Sequence, residues 1–321
     1  MGHVVVSLDA ELAWGFHDRS PLTDATLRRV KRGRRMWIQL LDLFDTYDVA
    51  ATWAVVGHLL VRDREYTRPH PLPEERFAPA RKGLRERREL WLGDDLIETV
   101  ASADADHELA SHSFSHAEFP DVDREAAAAE CRLARDAGDE LGFEFDSFVF
   151  PRNKVAHRDV LADAGFRCYR GVRPNRMPQF TGSRGIGMLT GSLTGRITPP
   201  AVSPHIDEHG LVNVPTSMFL GGFRGRPWSI LGTVSGDPAV RLAKRGIDRT
   251  IRRDRVFHLW LHPHDLADSE HVERVRKVLE YIDAKREEGV LQTATMGEIA
   301  ATVLGPDAGT PRPELEVVSN G

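Results

Sequence analysis

The chain has 321 residues with 43 basic and 48 acidic side chains, a formal net charge of −5. That length supports one large α/β domain or two ordinary ones, with no need of a disulfide scaffold, and the near-balanced charge argues against a globally basic nucleic-acid binder. With 41% hydrophobic and 28% charged residues the composition is that of a soluble globular protein rather than a disordered or fibrous one.

A β-branched run at residues 4–8 predicts a first strand. Apolar residues at Leu27, Val30, Trp37, Leu40, Leu41 and Phe44 then follow the 3.6-residue helical period. A second strand is expected at 50–56, a short helix at 95–100 and a third strand at 107–111. Between them, residues 62–92 are dense in Arg, Glu and Pro and include the run RKGLRERRE, which predicts a loop or lid rather than core. A helix at 124–141, a strand at 147–150, a helix at 157–164 and a strand at 166–170 continue the alternation. The Gly- and Pro-rich stretch 171–235 holds one strand, 211–214. A helix at 238–253, a strand at 256–261, a helix at 271–285, a strand at 290–295 and a helix ending near 303 complete the pattern, and 305–321 reads as a disordered tail. This alternation predicts a parallel sheet, and about 250 core residues suit a closed or nearly closed β/α barrel. Residues 1–304 are expected to form a single domain with insertions at 62–92 and 171–235.

Cys131 and Cys168 lack the spacing of a metal knuckle or redox pair and read as reduced core residues. The opening MGHVVVSLDAELAW has no basic region, so no secretory signal is expected. The longest apolar stretch, 49–61, is too short to span a bilayer, and a cytoplasmic protein without a membrane span is expected.

Active sites of β/α barrels lie at the C-terminal ends of the strands, and four of the predicted strand ends are polar: SLDAE, ASHSFSH, FVFPRN and LWLHPHD. Asp9 and Glu11, two residues apart on an extended segment, point to the same side. Either one binds a metal while the other serves as base, or Asp9 caps the next turn and Glu11 is solvated. His112 and His116 have the i, i+4 spacing that brings two imidazoles together over a helical turn to hold Zn²⁺. His262 and His264 end an apolar strand, where one of them is a candidate general acid, and Arg152 after Pro151 is placed to orient a carboxylate or a substrate oxygen. Trp14, Phe16 and Trp228 are candidates for stacking on a sugar ring, with core packing the alternative. The run RRVKRGRR at 28–35 reads as the wet face of the first helix rather than a nucleic-acid site, and His58, His107 and His258 read as structural.

Together these motifs resemble the polysaccharide deacetylases with the NodB-homology domain, carbohydrate esterase family 4, over residues 3–303. The resemblance implies a distorted (β/α)7-type barrel that removes N- or O-acetyl groups from sugars with a divalent metal held by Asp-His-His. HSFSH meets the family's His-Ser/Thr-x-x-His motif, which implies that His112 and His116 are metal ligands. SLDAE corresponds to Thr-Phe-Asp-Asp and makes Asp9 the catalytic base. Ala10 replaces the second aspartate, so Glu11 is assigned to the metal, with a swapped or shared role for Asp9 left open. FPRN is loosely similar to Arg-x-Pro-Tyr, which implies that Arg152 positions the base and that Pro151 borders the substrate. LWLHPHD resembles the late Leu-x-His motif, which puts His262 in the acid role and His264 beside the substrate. The implied cofactor is Zn²⁺ or another divalent transition metal, and the implied substrate is an acetylated sugar or glycan precursor. Two alternatives stand beside this: another non-peptide C–N hydrolase on the same barrel, and a carbohydrate-binding protein that has lost catalysis, for which Ala10 is the motive.

Overall fold

The structure is a computed structural model that describes residues 1–18, 22–61, 69–172, 198–222, 236–266 and 268–305. Strand β1 (Gly2–Ala10) is buried along almost its whole length, as a central parallel strand with both faces covered must be. Its alternating side chains serve two cores. Val4, Val6, Leu8 and Ala10 pack outward beneath the helices, while Val5 faces a smaller interior cluster with Ala54, Ala110, Val149, Cys168, Val212, Val214 and Val256. Ser7 and Asp9 share the inward face with Val5, so the apolar floor gives way to polar residues toward the strand's C-terminal end.

Strands β2 (Thr52–Val55), β3 (Glu108–Ser111), β4 (Ser147–Phe148), β5 (Cys168–Gly171), β6 (His205–Ile206), β7 (Val212–Pro215), β8 (Met218–Phe219), β9 (Val256–Leu261) and β10 (Leu291–Thr293) complete the sheet. Its order is β6-β7-β5-β4-β3-β2-β1-β9-β8, with β10 beside the first residues of β1, and every pairing is parallel except β6 with β7. Strands β7 and β8 are one stretch of chain interrupted only by Thr216 and Ser217. Its first half pairs with β5 and its second with β9, so this stretch closes a ring of seven stations. The sequence pattern shows only one strand in this region because β6 and β8 are two residues each, too short to display a period of two.

Among the described residues, eight helices surround the ring: α1 (Asp24–Thr46), α2 (Ala78–Glu86), α3 (Asp94–Ala101), α4 (Arg124–Asp139), α5 (Arg158–Asp163), α6 (Pro238–Arg253), α7 (Ser269–Glu287) and α8 (Met296–Leu304). Local signals set their starts. Thr23, Asp123, Asp237 and Asp268 each accept a backbone N–H of the first turn, and Thr295 with Glu298 forms a reciprocal capping box. Helix α8 closes the floor of the barrel, placing Met296, Ile299 and Ala300 in the interior cluster. Helix α1 approaches the turn after β9 so closely that a Cβ at Gly33 would lie 2.7 Å from the His264 Cβ.

The 62–92 stretch departs from the loop or lid expected of it. Residues 62–68 lie outside the described residues, but the remainder forms α2 and buries Phe77, Ala80, Leu90 and Trp91 in the main core. Its charges occupy the outer side of a short helix, and Gly83 lets the Trp91 indole lie directly on it. Of the 171–235 stretch, 173–197 and 223–235 lie outside the described residues, Trp228 among them, as does the expected tail at 306–321. No helix of the described residues is long and apolar enough to cross a membrane.

Candidate active site

The C-terminal ends of β1, β3, β5 and β9 converge on one buried cluster. Glu11 follows β1, and its Oε1 lies 3.4 Å from His112 Nε2, 3.3 Å from His116 Nε2 and 3.5 Å from His262 Nε2. His112 donates its Nδ1 proton to the Val149 carbonyl at 2.7 Å, which fixes the tautomer and leaves Nε2 as a free lone pair. His112 Nε2 and both ring nitrogens of His116 are buried with no hydrogen-bond partner among the described residues, an arrangement that is costly unless something fills it. Glu11, His112 and His116 offer three donor atoms within 4.8 Å of one another. Two imidazoles and a carboxylate with open positions form a zinc-type catalytic donor set, so the residues fit the group. A second donor group, Glu11 with His262 and His264, reuses the same carboxylate.

The pair His112 and His116 is not brought together by a helical turn. The segment between them is irregular, with Ser113 at φ 61° and His116 at φ 58°. Neighbours hold it: the Ser113 carbonyl accepts from Gly57 N, Phe114 O accepts from His58 N, and Arg76 donates to His116 O at 3.1 Å. Glu130, wholly buried on α4, accepts from the Ser115 N–H at 2.7 Å and from its hydroxyl. Positive φ angles also occur at Leu12, Arg152 and Asn153, so five of the eight non-glycine cases among the described residues border this cluster.

Asp9, 1% exposed, sits beside the donor set rather than in it. Both its oxygens accept from Arg170, Oδ1 from Nη1 at 2.5 Å and Oδ2 from Nη2 at 2.7 Å. Burial works to raise the Asp9 carboxyl, but Arg170, His112 and His262 outweigh it and hold it below the usual range. Arg170 is therefore the cation that orients Asp9, and Arg152 is not. Arg152 instead pairs with Asp18 at 2.6 Å and with Glu118, because the strained turn Pro151–Asn153 swings its side chain to the rim. Pro151 itself is buried at the start of that turn, and the next residue but one, Asn153, accepts from Arg170 Nε at 3.1 Å. An arginine inside a strand draws no notice in so arginine-rich a chain. The signal that marks it is its inward register, two residues after Cys168.

His262 follows β9 and is 19% exposed. Its Nδ1 bonds Asp265 Oδ2 at 2.8 Å, and its Nε2 faces Asp9 Oδ2 at 3.6 Å as well as Glu11. Burial pushes this imidazole down, but Glu11, Asp265 and Asp9 raise it to about 9. His264 is buried, stacks on His262 with ring centroids 4.7 Å apart and packs against Phe16, so it supports the His262 ring.

Trp14 does not present a ring to a sugar. It is 1% exposed, stacks on His58 at 3.9 Å and donates its indole N–H to Trp91 O at 2.9 Å, so it belongs to the core. The aromatic wall of the site comes instead from Trp260 and Phe219, both partly exposed, with centroids 4.3 Å apart. Trp260 lies over the Arg170 guanidinium at 4.7 Å and beside His262. Alternation along β9 puts 256, 258, 260 and 262 on one face, which is the pattern that reveals Trp260.

No protein-family model and no curated protein sequence matches the chain. Solved structures do. A Mycobacterium smegmatis protein described as a polysaccharide deacetylase aligns over 98% of this chain and 94% of its own, with TM-score 0.64 and 17% identity. A Pseudomonas aeruginosa PAO1 protein of the same description aligns over 93% and 89%, with TM-score 0.57 and 12% identity. The chain has the polysaccharide deacetylase barrel fold. The Puue allantoinase shares it, with TM-score 0.56, 13% identity, and 93% and 88% of the two chains covered.

Proposed function

We propose that this chain is a metal-dependent hydrolase that removes an N-acetyl group from a sugar or glycan precursor. The observation that carries the reading is the convergence of the Glu11, His112 and His116 donor atoms, with two unsatisfied imidazoles, beside an arginine-clamped Asp9 and a His262 whose Nε2 faces both carboxylates. Glu11, His112 and His116 would hold the ion, and a zinc there supplies Lewis acidity to an amide carbonyl and to a water.

The chain's own groups perform the rest. Asp9 takes a proton from the attacking water, and Arg170 keeps its lone pairs directed and its charge balanced. His262, with Asp265 holding its Nδ1, gives an Nε2 proton to the departing amine. A poor leaving group such as an amine needs that proton, and a partly exposed Nε2 is where it can be delivered. Trp260 and Phe219 form an apolar wall against which an acetyl methyl or a sugar face would pack.

The test is release of acetate from N-acetylated mono- and oligosaccharides by zinc-loaded protein, with His262→Asn as control. The reading expects turnover in the native chain and at least a 100-fold loss of kcat in the variant with its metal retained. One specific observation favours a second reading, hydrolysis of a small cyclic or linear amide: the allantoinase fold match is as good as one of the two deacetylase matches. Amide hydrolysis without any acetate release from sugars would select it. Sugar binding that ignores metal, with no turnover, would select a non-catalytic carbohydrate-binding protein.

A further inference from the structure

Beneath Asp9 the barrel interior contains a polar column of which the proposed chemistry uses Arg170 alone. Ser7, Arg170 and His258 are each fully buried, one layer above the apolar floor, where aliphatic side chains would be the less costly filling. The polarity of the column is fixed from its far end. The Val214 carbonyl is an acceptor only, so His258 Nδ1, 3.2 Å away, must carry the proton, and Nε2 of the neutral ring accepts. Ser7 Oγ lies 2.8 Å from that Nε2 and therefore donates its hydroxyl proton downward. Its lone pairs are left for Arg170 Nη1, which donates into it at 3.1 Å.

The same Nη1 also donates to Asp9, Nη2 donates to Asp9, Nε donates to Asn153, and the Trp260 ring covers the guanidinium face. The imidazole end is anchored as well. His258 N donates to Ser217 Oγ at 3.1 Å, and Ser217 N donates to His258 O at 2.8 Å, within the stretch that closes the barrel. Burial pushes the His258 imidazole down to about 3, so it stays neutral and the direction of donation is kept.

We propose that Ser7 and His258 are positioning residues that fix the roll of the Arg170 guanidinium and thereby which lone pairs Asp9 presents to the substrate water. The inference rests on Asp9 acting as the base in the reaction proposed above. It is tested on the full, zinc-loaded chain with Ser7→Ala, Ser7→Thr and His258→Leu. Loss of one bond to a charged group lowers kcat about tenfold. The expected result is that fall in Ser7→Ala and His258→Leu with KM and metal content within twofold of the native chain, and recovery in Ser7→Thr, which keeps the hydroxyl. Unchanged kcat in a folded, metal-loaded Ser7→Ala would overturn the proposal.

A second readout does not depend on turnover, so it separates failure of this inference from failure of the hydrolase reading. Nitrogen-15 spectra of the native chain should show His258 protonated at Nδ1 only, and Arg170 with separate, slowly exchanging Nη resonances that average in Ser7→Ala. A His258 proton on Nε2, or Nη resonances equally resolved after loss of the hydroxyl, would overturn it. Because the tautomer is read in the native chain, a variant that fails to fold still leaves the column open to refutation.

Discussion

Replacing Glu130 by Gln should destabilise the protein in a way that depends on pH. Glu130 has no exposed surface; its carboxylate accepts from Ser115 N and from the Ser115 hydroxyl, and its Oε1 lies 3.0 Å from His70 Nε2. His70 takes the Leu72 N–H on Nδ1, so its single proton sits on Nε2 and points at Glu130. Burial alone would raise the Glu130 carboxyl, but the bonds to His70 and Ser115 overcome it and pull it from an ordinary 4.5 down to about 2. A displacement of that size is worth about 3 kcal/mol of stability at neutral pH. Because the folded protein holds the stronger acid, this contribution is complete above the unfolded value near 4.5 and is lost as the pH falls toward 2. Urea unfolding of the native chain and Glu130→Gln should give a gap of about 3 kcal/mol at pH 7 that shrinks to about half by pH 3. Ser115 lies between the two histidines proposed as metal ligands, so metal affinity in Glu130→Gln should also drop, by about 10-fold to 100-fold, the order expected for a group that orients ligands. A gap that is the same at pH 7 and pH 3 would refute the reasoning.

Three further outcomes follow from the geometry. Arg170→Ala leaves the wholly buried Asp9 without its cation and should cost about 3–5 kcal/mol in unfolding experiments, whereas Arg152→Ala, whose partners Asp18 and Glu118 keep some solvent contact, should cost less. Arg170→Lys should restore only part of the loss, since a lysine ammonium lacks the fork that meets both Asp9 oxygens, and kcat measured beside stability will show it. Cys131 and Cys168 are free and buried, and burial pushes both thiols well above their ordinary value. Neither should react with a disulfide reagent at pH 8 in the native protein, and both should react in urea.

The parts of the site carried by short-range spacing were legible in the sequence. Asp9 and Glu11 flank the end of one strand, and His112 with His116 lie within one five-residue loop, so their proximity needs no long-range information. The i, i+4 spacing singled out a pair that does come together, but not over a helical turn: neighbours that sequence cannot display, Glu130 and Gly57 among them, shape a loop with positive φ angles. Arg170 and Trp260 were hidden because their roles depend on which face of a strand looks inward, and that is decided by closure of the ring. Trp14 and Trp260 show the same limit from opposite sides: each is a tryptophan within five residues of a site residue, yet one stacks in the core and the other lines the opening. In the 62–92 stretch, charge on one side of α2 concealed the small apolar side that buries Ala80 beside Phe77 and Trp91.

The account turns on the Glu11, His112 and His116 donor set, and elemental analysis of the purified chain tests it most directly. It predicts one zinc per chain, since the second donor group shares Glu11 and cannot fill independently, and loss of that zinc in the His112→Ala/His116→Ala double variant. A native chain that takes up no metal when zinc is added, or a double variant that keeps it, would contradict the central claim.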